Sequence, residues 1–198
     1  MLEKTVQRNS LKTERNSGYS RLDSLEVGGV PINADFEGKE DCKTMIKDIC
    51  KELHLVLRDD AISTAHRLKQ HPSKTGPPAI IVKFSLRDDR NDVFALRKQL
   101  KTTKINTLGI DKLFINESLT PEKKKILYEC KKYVRENYHR FGKIYVWSFK
   151  GDIYVRQNVD NAQRYRINHT DDLDYFGKMC KTNIGNNVVN SNAKSNVS

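Results

Sequence analysis

Cysteine is scarce in this chain, and the four present, Cys42, Cys50, Cys130 and Cys180, form no closely spaced pair. That excludes the usual zinc-ligand frameworks and a disulfide-stapled scaffold, and it fits a reduced, intracellular protein of the cytoplasm or nucleus. Long apolar runs are missing too, as is a charged-then-apolar start, so neither a membrane span nor a secretory signal is expected. Cys50 and His54 stand one helical turn apart, yet no further Cys or His completes a metal site, and a buried thiol is the simpler reading. Gly28-Gly29 lacks the flanking pattern of a phosphate-cradling loop. Asp59-Asp60, Asp88-Asp89 and Asp171-Asp172 are adjacent pairs whose side chains diverge, each near an element end where aspartate caps. With no catalytic, metal or cofactor set, the expectation is a protein that is not an enzyme.

Positive charge is what the sequence has in excess. The 198 residues carry 36 Lys and Arg against 25 Asp and Glu, for a net +11. The excess is local. Residues 1–65 hold 10 basic and 12 acidic side chains, whereas residues 66–166 hold 23 and 10. A stretch of that sign is where a polyanion would be held, the alternative being a solvated basic surface.

Residues 1–22 are polar, with Leu2, Val6 and Leu11 too sparse for a stable coiled coil, and read as an arm or a coiled-coil remnant. Ser24 to Val30 alternates as a strand into a turn. From Asp41 to Leu55, Met45, Ile46, Ile49, Cys50 and Leu53 repeat at helical spacing. Ile62 to Leu68 and Ala79 to Ser85 read as strands around a Lys- and Pro-rich loop. A second helix opens at Asp88-Asp89 with Val93, Leu96 and Leu100 on one face, and Lys112 to Asn116 is a fourth strand. This order predicts an α+β domain over 23–118: an RRM-like, four-stranded antiparallel sheet with two helices on one face. A small basic domain over 119–176 follows. Thr120 and Pro121 open its helix, with Leu127, Cys130 and Val134 inward, and a β-hairpin turns at Lys150-Gly151. Tyr165-Arg166-Ile167 offers a third strand. The Asn- and Ser-rich 177–198 reads as a disordered tail.

Candidate nucleic-acid contacts follow from charge and spacing. Arg67, with His66 beside it, ends the second strand next to the Lys69 and Lys74 loop, and is expected to meet phosphate. Arg90, Arg97 and Lys101 fall on one face of a continuous helix, with Arg87, Lys98 and Lys104 extending the region. Lys124, Tyr128, Lys131 and Arg135 make a basic stripe with one aromatic in it. In the hairpin, Tyr145 and Trp147 share a face, as do Tyr154 and Arg156, and a base could stack there beside its phosphate. The alternative puts Tyr145 and Trp147 in the core, although Ile144, Val146, Ile153 and Val155 already supply one. If Phe84 is aligned with the last aromatic of an RNA recognition motif, the stacking positions fall on Ala79 and Ile81, which cannot stack. The first sheet is therefore expected to be a poor sequence reader.

Leu25-Glu26-Val27-Gly28-Gly29-Val30-Pro31, Ala65-His66-Arg67-Leu68, Pro78 to Phe84, Ile115 to Thr120 and Val146 to Val155 together resemble one family. Over residues 22–175 the chain resembles the C-terminal region of the baculovirus few-polyhedra (FP) protein, and is similar to the first open reading frame proteins of LINE-type retrotransposons. The resemblance implies an RNA-recognition-like domain followed by a basic C-terminal domain, binding single-stranded RNA or DNA. In the retroelement branch it implies a strand-annealing chaperone. It also implies self-association through the N-terminal arm. The viral branch suggests an alternative, an assembly or protein-interaction factor whose basic surface meets acidic partners.

Overall fold

The computed structural model describes residues 16–32, 40–69, 75–101 and 112–182, with the backbone alone of Lys101. Most of the N-terminal arm, Lys74, Lys104, the Lys101 side chain and residues 183–198 lie outside the described residues. The chain divides into two compact units, Met1–Thr120 and Pro121–Ser198.

In the first unit the elements run β1 (Ser24–Gly28), α1 (Cys42–Glu52), β2 (Ile62–Arg67), β3 (Ile80–Phe84), α2 (Arg87–Ala95), a 3₁₀ segment (Leu96–Lys101) and β4 (Phe114–Glu117). The four strands form one antiparallel sheet in the order β2-β3-β1-β4, as expected for two interleaved β-α-β pieces. Alternation decides the buried face: Leu25, Val27, Ile80, Val82, Phe84 and Ile115 turn toward the helices. Ile46, Ile49, Cys50 and Leu53 from α1, with Val93 and Leu96, close the core over them. Each such side chain, taken fully out of water, contributes about 1.5–3 kcal/mol. Asp41 starts α1 by accepting from the Lys43 and Thr44 amides, both at 3.1 Å. Gly29 has φ +89°, and a Cβ there would collide with the Lys112 carbonyl oxygen, so glycine alone lets β1 leave the sheet at that point.

The second unit contains α3 (Pro121–Glu136), a short α4 (Tyr138–Phe141), β5 (Ile144–Phe149), β6 (Asp152–Gln157), β7 (Tyr165–Ile167) and α5 (Asp172–Met179). The expected hairpin is present, and β7 extends it to a three-stranded antiparallel sheet, β5-β6-β7. Two details differ from expectation. The fully buried residues of α3 are Ile126 and Cys130, with Leu127, Tyr133 and Val134 half-buried. And α5 is a helix the periodicity does not announce. It packs on β7, with Phe176 edge-on to Tyr165 at 5.5 Å, and Gly177 lets it lie against the Tyr133 hydroxyl. Buried Gln157 joins β6 to the segment after α5: its amide donates to the Phe141 and Lys181 carbonyls and accepts from the Lys181 N–H. Among the described residues no helix is long and apolar enough to cross a membrane.

Candidate nucleic-acid interface

The face of the first sheet turned away from α1 and α2 presents His66, Ile81, Glu26 and Asn116 in register across its four strands. Ala79 and Ile81 offer no ring there, and the Glu26 carboxylate at its centre repels phosphate. Phe114, 47% exposed at the edge with Lys112 5.4 Å from its ring, is an aromatic that sequence reasoning missed.

Two of the cations assigned to contact face the wrong way. Arg67 lies on the helix side of β2, and its five N–H groups are all engaged. Nε and Nη2 fork onto the Glu40 carboxylate at 2.7 and 2.6 Å, while Nη1 and Nη2 also donate to the carbonyls of Val30, Pro31 and Pro78. It ties the ends of three segments together and has no donor left for a phosphate. Arg90 is likewise buried, bonded to Glu117 at 2.8 Å and to Asn91, with its guanidinium over Phe94. Both corrections have one cause, since Arg67 and Glu117 occupy core-facing strand positions where a charge must be paired. Arg97 is exposed. Its guanidinium sits 3.7 Å above the Phe94 ring and donates to the Phe94 carbonyl. Because α2 gives way to a 3₁₀ turn at Leu96, Arg90 and Arg97 do not share the single helical face expected of them. Lys69 and His66 are exposed.

In the second unit, Lys124, Tyr128, Lys131 and Arg135 are all exposed along α3. At 3.6 residues per turn this stripe points about 160° away from Ile126, Cys130 and Tyr133, and so away from the sheet that α3 covers. It forms the back of the unit.

The front is the outer face of the three-stranded sheet. Register places Tyr145 opposite Arg156, Trp147 opposite Tyr154 and Phe149 opposite Asp152, with Arg166 next to Tyr154 on the far side. The partners Ile144, Ile153, Val155 and Ile167 are buried beneath, which leaves the aromatics outward. Trp147 and Tyr154 stack, with centroids 5.8 Å apart and planes 19° from parallel. Tyr145 and Phe149 are exposed and Trp147 and Tyr154 half-buried, and a cation lies beside each of these rings but Trp147. Lys143 and Arg156 lie 5.0 and 5.8 Å from the Tyr145 centroid, Arg164 5.6 Å from Tyr154, and Lys150 5.5 Å from Phe149. Phe149, Arg164, Arg166 and Lys143 were not singled out from the sequence, although strict alternation from Tyr145 points to Lys143 and Phe149. The turn joining β5 to β6 has two residues, Lys150 and Gly151, with φ +51° and +79°. Both are left-handed, as a tight hairpin requires.

Burial pushes the thiols of Cys50 and Cys130 up to about 12 and about 11, so both stay protonated at neutral pH. Among the described residues no group of three or more His, Cys, Asp or Glu could hold a metal ion. No protein-family model matches the chain, and no curated protein matches it.

Proposed function

We propose that this protein is a non-enzymatic single-stranded nucleic-acid-binding protein whose main interface is the outer face of the β5-β6-β7 sheet. The observation that carries the reading is the stacked Trp147–Tyr154 pair, flanked by Tyr145 and Phe149, with a cation beside each exposed ring. A base has a π-face that such rings accept whatever its identity, while Arg and Lys take the phosphates between bases. A duplex hides its base faces, so the surface suits single strands. The strand order β2-β3-β1-β4 with two helices on one face supports reading the first unit as RRM-like. The same reading extends to kinship with the few-polyhedra and LINE first-open-reading-frame families, to chaperoning of strands and to an intracellular setting. RNA and DNA are both candidates.

The chain has a single tryptophan, so its emission reports on this face alone. Adding a random single-stranded oligonucleotide at moderate salt is expected to quench it. Trp147→Leu with Tyr154→Leu is expected to weaken binding by tenfold or more, as loss of about 1–3 kcal/mol per stacked base implies. Binding without any change in emission, and unaffected by the double substitution, would move the interface elsewhere. Retention of acidic proteins but not of oligonucleotides would favour the assembly-factor alternative.

A further inference from the structure

A surface that stacks bases needs paired rings, and the front of the second unit has them. A surface that holds phosphates alone needs only cations in a row. The back of that unit has such a row on α3. At about 100° per residue, Lys124, Tyr128, Lys131 and Arg135 fall within about 60° of one another, and Lys125 and Lys132 widen the arc to about 120°. All six are exposed, Tyr128 by 59%. No carboxylate of α3 interrupts the arc. Glu122, Glu129 and Glu136 stand beyond Lys125 on one border, and the half-buried Leu127 and Val134 line the other. Lys123, on the inward flank, is drawn instead to Asp152 of the sheet at 3.7 Å. From Lys124 to Arg135 the row is about 16 Å long, at about 1.5 Å per residue. That length matches roughly five phosphates of one duplex strand, at about 3.4 Å of axis each.

We propose that this face of α3 is a second site, which holds double-stranded nucleic acid by its backbone. It goes beyond the reading of the aromatic face and does not depend on it. Tyr128 brings one ring to the arc, which is no platform for successive bases, so the face works without unpaired bases. What it offers is charge. A duplex carries one charge per about 1.7 Å of axis, a denser array than a single strand, and each contact counts for about 0.9 in the salt slope against about 0.7. An electrostatic face therefore takes the duplex first. The front has the opposite preference, because pairing hides the base faces that Trp147 and Tyr154 accept. The unit thus sorts its ligands by side, strand in front and duplex behind, and can hold both together. An anionic membrane fits the back poorly. A helix that lies in a bilayer surface turns its apolar face to lipid, whereas Ile126 and Cys130 of α3 are buried in the core.

The test uses the full chain with two probes. A short labelled duplex of random sequence is followed by anisotropy across a salt series, and a short single strand by Trp147 emission at moderate salt. Wild type is expected to bind the duplex without quenching Trp147, and saturating duplex should leave the single-strand quenching curve in place. Lys131→Ala with Arg135→Ala should make the duplex log–log slope shallower by about 1.8, at about 0.9 per contact. Trp147→Leu/Tyr154→Leu should leave duplex binding unchanged. Alanine suits a helix and both replaced side chains are exposed, so the fold should survive, with circular dichroism as the check. A wild type that does not bind the duplex overturns the proposal without any variant. So does a duplex that quenches Trp147 or displaces the single strand, which puts both ligands on the front, and so does an unchanged slope in the folded Ala variant. Displacement of the duplex by poly-glutamate as readily as by more duplex, at equal charge, would mark a face for acidic polypeptides and overturn it as well. Failure of the single strand to quench Trp147 sinks the reading of the front alone, since the duplex arm does not use it.

Discussion

At Arg67 five N–H groups meet five acceptors, and Glu40 is the only anion among them. The local sequence shows a cation at a strand end beside a basic loop. Its acidic partner lies 27 residues upstream, where no short-range pattern reveals it. Arg67→Ala leaves the largely buried Glu40 charge without its guanidinium, and should destabilise the protein by about 3 kcal/mol in a denaturant titration. The salt dependence of oligonucleotide binding should not change. Lys150 carries the opposite expectation. It holds φ +51°, which asparagine adopts more easily. Lys150→Asn should raise stability by about 1 kcal/mol while weakening binding, since a cation leaves the Phe149 edge. Acid acts through the capping carboxylates. Thr44 through its hydroxyl and then its N–H holds Asp41 below the ordinary 3.8, and the Asn168 and His169 amides do the same for Asp172. Because their folded pKa values are depressed, their contribution is complete above the ordinary value and is lost as pH falls through the folded one. Circular dichroism should show loss of structure beginning only below about pH 4, with Asp172→Asn flattening that part of the curve.

At the scale of elements, β1 to β4, α1 and the hairpin were legible because alternation and helical spacing are local signals. The α2 face was not. Extrapolating one helix through Arg90, Arg97 and Lys101 fails where the 3₁₀ turn at Leu96 changes the angle per residue. Likewise α5 was missed because the domain was ended at residue 176 and the tail begun at Gly177, inside the helix, whereas that glycine marks close approach to Tyr133. For α3 the sequence picked out the exposed stripe and the buried Cys130, but took Leu127 for the neighbouring Ile126 as the fully buried residue. Front and back of the second unit can be separated by experiment. Lys131→Ala with Arg135→Ala should make the log–log salt slope shallower by about 1.4 if both meet phosphate, at about 0.7 per single-strand contact. The paired aromatic substitutions should lower affinity at nearly constant slope. An unchanged slope in the folded Ala variant would leave the stripe as ordinary solvated surface.

For the molecule as a whole, the charge distribution along the chain does not say which cations reach the surface. Of the cations in residues 66–166, Arg67 and Arg90 are interior, because a count of charge says nothing about which strand face a residue occupies. Stability and oligonucleotide affinity should both be indifferent to a strong chelator, in a melt and a binding curve run with and without it. A drop in either would reveal a metal that the described residues do not suggest. The two-residue turn at Lys150-Gly151 has a further consequence. It sets the parity of β6 against β5, and parity alone decides whether Trp147, Tyr154 and their neighbours face water while Ile153 and Val155 face α3. One residue added to or removed from β6 just past the turn would exchange inside and outside for the rest of the strand. Substitutions in this hairpin can therefore be absorbed singly, but a one-codon insertion or deletion there is expected to erase the interface and the core together. Related chains should therefore hold the length of this ribbon fixed, tolerating exchanges of similar side chains within its outward and inward rows far better than any change in residue number.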